Sequence, residues 1–502
     1  MNIKRAKEEI KNTIEAYLWK DSYGNYEIPS VRQRPVLLMG PPGVGKTQIM
    51  EQISREMEIG LVSYTITHRT RQSAIGLPYI VERQYGGRKM SVTEYTMSEI
   101  VASVYRKIEK TGLREGILFI DEINCVSETL APAMLQFLQC KTFGSHEIPQ
   151  GWIIVAAGNP PEYNKSVREF DVVTLDRIKM IPVEPDYQVW KEYAYEQAIH
   201  PAVISYLNTR PQSFCQIETT VDGKRFVTPR GWEDLSAFLQ VYEKLGKKAD
   251  RDVVGQYLQY PKIAKDFANY LELFYKYQDD WQVDEILSGT IRESLCRRAA
   301  NAPFDEKLSM IGLLLSRLSR EFVKAVNQAE KAELLMKWLK GFSREFGEEK
   351  SMRAGLAVFI EEKGKERENR EEGGLLDKRQ DLVWRTAVEA LGDYEKRVER
   401  ENLTENTRVW NRLKEFFDEE NQEYERLVEQ GGQCLERAFD FMEAAFGDSQ
   451  EMVLFVTELN TSQDALRFLK EYECQRYYQY NERLLFTHQE DAIKERIDRL
   501  NR

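Results

Sequence analysis

The chain is poor in the residues that hold metals and close disulfides. Its 502 residues include four histidines and six cysteines, Cys125, Cys140, Cys215, Cys296, Cys434 and Cys474, with no C-x-x-C pair among them. Thiolate and imidazole metal sites need closely spaced ligands, so this dispersal argues against both a zinc module and a disulfide framework. Reduced, mostly buried thiols are expected. Long apolar runs are also missing: none approaches the roughly 18 residues of a membrane-spanning helix. The first residues, Met1-Asn2-Ile3-Lys4-Arg5-Ala6-Lys7, lack the apolar core of a signal peptide. A cytoplasmic location without membrane insertion is the expectation. Positive charge is in deficit, with a formal net charge of -11, which argues against a bulk nucleic-acid binder.

What the chain does have is a glycine-rich turn in a specific setting. Gly40-Pro41-Pro42-Gly43-Val44-Gly45-Lys46-Thr47 follows the spacing G-x-x-x-x-G-K-S/T. The apolar run Val36-Leu37-Leu38-Met39 precedes it, and a helical pattern with Ile49, Ile53 and Met57 on one face follows. Strand, glycine loop and helix together make a phosphate-binding loop. Gly43 and Gly45 let backbone N–H groups curl around phosphate, and the helix N-terminus favours its negative charge. Lys46 would reach the terminal phosphates and the Thr47 hydroxyl would hold Mg2+.

A second apolar run, Ile117-Leu118-Phe119-Ile120, ends in Asp121-Glu122. This is the pattern of a buried parallel strand that carries acids at its carboxyl end, where ligands bind in open α/β sheets. Asp121 fits the magnesium-site acid, and Glu122 could polarise an attacking water as general base. Trp152 to Ala157 reads as another buried strand, ending in Gly158-Asn159-Pro160. Asn159 could orient water against a phosphate or simply initiate a turn. Leu61 to Ile66 and Ile178 to Val183 read as further strands. Residues Tyr79 to Val92 and Lys141 to Pro149 read as hairpins, and Thr96-Met97-Ser98-Glu99 reads as a capping box. Helix Ile3 to Trp19 either packs on the adenine or covers the sheet. Arg168 and Arg177 flank Phe170 to Leu175, each a candidate arginine finger or an ordinary surface arginine.

Beyond Pro185 the pattern turns helical. Thr228-Pro229-Arg230 sets an arginine in the first turn of a helix. Segment 361–374 is almost entirely charged and reads as a linker, a solvated helix or a disordered loop. The stripe Leu435, Ala438, Phe439, Met442 and Phe446 reads as helical core or a partner-binding face. The expected organisation is an α/β nucleotide-binding core over 1–184, a helical lid over 185–277 and an additional all-α region over 278–502.

Gly40 to Thr47, Ile120-Asp121-Glu122, Gly158-Asn159-Pro160, Leu175-Asp176-Arg177 and Pro229-Arg230, in that order, resemble an AAA+ ATPase, and more narrowly its MoxR branch. The resemblance covers about half the chain. It implies a P-loop NTPase with a parallel five-stranded sheet, ATP and Mg2+ as ligands, and hydrolysis at subunit interfaces of a hexameric ring. It gives Asn159 the sensor-1 position, Arg177 the finger acting on the neighbouring subunit's ATP, and Arg230 the sensor-2 position on the lid. The two hairpins match pore-facing insertions of the helix-2-insert clade. The family is similar in acting as a chaperone on partner proteins, often with von Willebrand factor A domains. Ile178 departs from the family's usual Leu-Asp-Arg-Phe, which keeps Arg168 in contention. Residues 280–502 have no counterpart in the short members.

Two other functions fit parts of the pattern. A nucleic-acid-linked motor would use His68-Arg69-Thr70-Arg71 and Arg83, Arg88 and Lys89. A nucleotide-gated scaffold would bind a partner through the C-terminal helices, with turnover incidental.

Overall fold

The computed structural model describes residues 1–67, 76–143, 146–163, 167, 170–220, 223–346 and 351–484. The chain forms two compact units, one of Met1–Val189 with Gly364–Asp381, the other of Trp190–Lys363 with Leu382–Arg502. Among the described residues no helix is long and apolar enough to cross a membrane.

The first unit is built on a parallel sheet of β1 (Val36–Met39), β2 (Gly60–Thr65), β5 (Gly116–Asp121), β8 (Trp152–Gly158) and β9 (Lys179–Pro182), in the order β2-β5-β8-β1-β9. Alternate residues of β5 and β8 feed two cores. Ile117, Phe119, Ile153 and Val155 pack with Ala6, Ile10 and Ile14 of α1 (Ile3–Leu18) and with Ile49, Met50 and Ile53 of α2 (Lys46–Glu56). Leu118, Ile120, Ile154 and Ala156 pack with Ile100, Val101 and Val104 of α3 (Glu99–Thr111) and with Met134, Phe137 and Leu138 of α4 (Ala131–Cys140). A sheet covered on both faces needs apolar side chains on both, which is why these strands read as unbroken apolar runs. The N-terminal helix covers the sheet.

Two antiparallel hairpins branch from this core, β3 (Pro78–Tyr85) with β4 (Arg88–Tyr95), and the two-residue strands β6 (Thr142–Phe143) with β7 (His146–Glu147). Two local expectations change. Ser98, not Thr96, caps α3, accepting from the Val101 N–H at 3.2 Å. Thr96 Oγ1 instead accepts from the Leu77 N–H at 2.9 Å and closes the foot of the β3–β4 hairpin. The cysteines are all unpaired as expected, but only Cys296 and Cys474 are buried and Cys140 is exposed.

The charged segment is ordered helix, the end of Met352–Gly373. Its last turn docks on α3: Lys107 Nζ donates to the carbonyls of Glu372 (3.3 Å) and Gly373 (2.9 Å), Lys110 pairs with Glu372, and Arg370 pairs with Glu58 at 2.6 Å. Terminal carbonyls of a helix have no partner within it, and the lysine supplies one. Lys107→Ala is expected to speed amide exchange across 364–381 relative to the wild type, with β5 unchanged. Deuterium uptake checks this.

Lys141, just after α4, is a buried lysine whose Nζ donates to Gln33 Oε1 at 2.8 Å, and burial pushes its ammonium down to about 8. The unfolded chain keeps that proton to about pH 10.4. Between the two values the unfolded state binds more protons, so this group makes stability rise with pH there and contributes no slope below it. The urea midpoint of the wild type is expected to gain on that of Lys141→Met between about pH 8 and pH 10.

In the second unit, helices Phe304–Phe346 and Asn406–Phe446 and the part of Lys378–Arg400 from Leu382 onward share a core that includes Trp338, Phe342, Leu391, Tyr394, Leu413 and Phe416. Of the stripe, Leu435, Ala438, Phe439 and Met442 are fully buried, hence core, and Phe446 is half-buried. The region expected to be a purely helical lid also holds an antiparallel ribbon, β10 (Gln216–Thr220) with β11 (Gly223–Val227).

Candidate nucleotide site

Strand order brings the polar ends together. β5, β8 and β1 are neighbours, so Asp121, Gly158 and Met39 end side by side at the carboxyl edge of the sheet. Gly40 to Gly45 spring from the end of β1. Gly43 and Gly45 have φ of 79° and 92°, the left-handed region open to glycine. Gly45 precedes α2 directly, and no side chain caps that helix, so its first N–H groups are available to an anion. Val44 is buried in the core and anchors the loop.

Lys46 is buried, and its ammonium donates to Gly40 O (2.8 Å), Pro41 O (2.9 Å) and Asn159 Oδ1 (3.0 Å). Pro42 sits half-buried in the loop. Thr47 Oγ1 donates to Asp121 Oδ2 at 3.0 Å, and Asp121 Oδ1 accepts the Glu122 N–H at 2.9 Å. A hydroxyl beside a carboxylate is the hard-oxygen donor set that Mg2+ takes, with water and phosphate completing its shell. Among the described residues no group of three or more His, Cys, Asp or Glu could hold a metal by itself, so the ion's other ligands would have to come from nucleotide and water.

Glu122 leaves β5 with φ 56° and ψ 35°. A left-handed non-glycine residue is strained by about 1–2 kcal/mol, and such strain collects at functional sites. Its Oε2 accepts from Thr67 Oγ1 at 2.7 Å. Two residues on, Asn124 contacts the backbone of Asn159. Neither Thr67 nor Asn124 was singled out from sequence. The available signal was a polar residue directly after an apolar strand and one inside the run Ile123 to Val126.

Lys46, Thr47, Asp121, Glu122 and Asn159 are therefore one cluster. Arg177 is not part of it. Val36 pairs with Lys179 and Met39 with Pro182, so Arg177 precedes β9, at the amino edge of the sheet. The four residues of β9 alone separate it from the phosphate loop by about 13 Å, beyond the reach of one side chain. Arg177 is exposed, with Nη1 donating to Gln139 Oε1. Ile178 beside it is buried in the core. Val172 and Val173 just before it are 81% and 63% exposed, an apolar patch next to the arginine. Arg230 lies exposed in the second unit, in the first turn of Pro229–Lys244, which Thr228 caps. Arg168 and the basic run 68–71 lie outside the described residues.

A phosphate loop between strand and helix, acids on a strand two places away and a parallel five-stranded sheet define a P-loop nucleotide-binding core. Residues 35–178 match the family model of the AAA domain, dynein-related subfamily. The chain thus carries an AAA domain, a module that in general is an ATPase and usually works in oligomeric rings. No curated protein matches the chain.

Proposed function

We propose that this protein is a MoxR-type AAA+ ring ATPase that hydrolyses ATP at subunit interfaces and uses the energy to remodel or activate partner proteins. The observation that carries the reading is the split site: a phosphate-binding and acid cluster at one edge of the sheet, and Arg177 beside an exposed apolar patch at the other. One copy cannot bring both to one phosphate. Adjacent copies in a ring can.

In this reading Lys46 leaves the carbonyls of its own loop for the terminal phosphates, joined by the loop and helix N–H groups. Thr47 and Asp121 would hold Mg2+, which would supply neutralisation of phosphate charge. Glu122 Oε1 takes a proton from the attacking water, and Asn159 keeps that water and Lys46 aligned. Arg177 of one copy stabilises charge on the γ-phosphoryl held by the next, and Arg230 senses the nucleotide from the helical region. Such catalysis is positioning and electrostatics with little covalent chemistry by the protein.

A protein client is favoured over nucleic acid by the β3–β4 hairpin. It exposes Tyr79, Ile80, Tyr85, Met90 and Tyr95, while Arg83 is paired with Glu94 at 2.9 Å. A von Willebrand factor A domain protein is the first client to try. The test is ATP hydrolysis against protein concentration, with Lys46→Ala as blank. Specific activity is expected to climb with concentration and to ignore added DNA. Flat activity overturns the ring, and DNA stimulation favours the nucleic-acid motor. Lys46→Ala itself is expected to weaken ATP binding at least about tenfold, since a hydrogen bond to a charged group contributes about 1.5–3 kcal/mol.

A further inference from the structure

We infer that Asn124 is a positioning residue for ATP hydrolysis, an inference that rests on the ATPase reading above. Its side-chain amide grips the backbone of Asn159 and so sets the distance between Glu122 on one strand end and the Asn159–Lys46 pair on the others. Asn124 lies in the single turn Ile123–Cys125 that follows Glu122, and it is 2% exposed. Its Nδ2 donates to Asn159 O at 2.8 Å, and its Oδ1 accepts from the Asn159 N–H at 3.3 Å. Both backbone groups of one residue are thus held by one planar side chain.

The pairing replaces a sheet interaction at the point where the sheet stops. The last registered pair between β5 and β8 is Ile120 with Ala156. Beyond it the strands part, Glu122 turns left-handed, and the ladder can no longer hold Asn159. The amide of Asn124 takes over with one donor and one acceptor, as a neighbouring strand would. Reversing the amide would set oxygen against oxygen and nitrogen against nitrogen, so its orientation follows from its partners.

The approach is close enough to constrain the preceding residue too. A Cβ on Gly158 would stand 2.8 Å from Asn124 Oδ1 and 2.9 Å from Met39 Sδ. With both its backbone groups held by Asn124, Asn159 reaches Lys46 Nζ at 3.0 Å through its own side chain. Asn124 therefore touches no reacting atom. It acts by holding the Asn159 side chain in register with Glu122, and displacements of about 1 Å at such a site cost on the order of a hundredfold in rate.

The experiment measures steady-state ATP hydrolysis and affinity for a fluorescent ATP analogue in the full-length protein, for Asn124→Ala, Asn124→Asp, Asn159→Ala and Asn124→Ala/Asn159→Ala. Thermal unfolding runs alongside. Asn124→Ala is expected to lower kcat about a hundredfold, with analogue affinity within about threefold of wild type. Asn124→Asp keeps the size and the acceptor but sets a carboxylate against the Asn159 carbonyl, so it is expected to be as slow. In the Asn159→Ala background, Asn124→Ala is expected to cost less than about a further threefold, because the side chain it positions is gone.

An active wild type with Asn124→Ala within threefold of its kcat, or losses that multiply in the double variant, overturns the inference and leaves the ATPase reading intact. Loss of the folded state in both Asn124 variants also overturns it, in favour of a purely structural clamp. A wild type no faster than Lys46→Ala overturns the ATPase reading and the inference with it.

Discussion

Glu122→Gln is expected to bind ATP as the wild type does and to hydrolyse it about 10²–10⁴ times more slowly, the usual contribution of a general base. The change removes the basic oxygen and little else. A glutamine Oε1 still accepts from the Thr67 hydroxyl, so the 2.7 Å contact that fixes the side chain survives. The Glu122 N–H still donates to Asp121, and the backbone keeps its left-handed turn. Lys46, the loop amides and Thr47 are untouched, so phosphate binding stands. Single-turnover hydrolysis and equilibrium binding of a fluorescent ATP analogue separate the two effects. Weakened binding with an unchanged rate of hydrolysis would move Glu122 out of the catalytic role.

Arg177→Ala is expected to reduce hydrolysis about 10³-fold or more, the range of an arginine supplied to a phosphoryl transfer from outside the binding site. Affinity for ATP should change little, because Arg177 lies at the opposite edge of the sheet from the phosphate loop of its own copy. Stability should change little as well. The residue is exposed, its contact is with Gln139, and surface substitutions of this kind stay within about 0.5 kcal/mol. A large loss of rate with intact binding and folding leaves assistance to a neighbour as the role of this arginine. A rate within a few-fold of wild type would remove Arg177 from the site.

The part of the site written in contiguous sequence was legible. Gly40 to Thr47 and Ile117 to Glu122 each carry their own context, because a buried parallel strand must be apolar on both faces and can be polar only where it ends. Five separate runs read as strands, and their arrangement as one parallel sheet is what the AAA+ resemblance implied. What could not be read depends on which strand ends become neighbours. Thr67 meets Glu122 across 55 positions, and Asn124 meets Asn159 across 35. In sequence each is an unremarkable polar residue in a turn, and strand order alone makes it a partner. The charged run 361–374 is helix, one of the three readings its sequence left open, but its docking was hidden for a similar reason. Its solvated look is correct locally, yet Lys107 and Glu58, more than 260 positions away, give its last turn a surface to dock on. Lys141 looked like a turn lysine because nothing nearby in sequence encloses it; Gln33, its partner, comes 108 positions earlier. The ribbon of Gln216–Thr220 with Gly223–Val227 does carry a local signal, since Asp222-Gly223 between two alternating stretches is a hairpin pattern.

The most direct test of the shared site mixes two inactive proteins. Lys46→Ala cannot bind ATP productively but carries an intact Arg177; Arg177→Ala binds ATP but lacks the arginine. If each active site takes its phosphate loop from one copy and its arginine from the next, random mixing in a head-to-tail ring completes about a quarter of the sites. Equal amounts of the two proteins, mixed and allowed to exchange subunits, are therefore expected to regain up to about a quarter of wild-type hydrolysis. Activity that stays at the sum of the two separate proteins, under conditions where exchange is demonstrated, would contradict a site built from two copies.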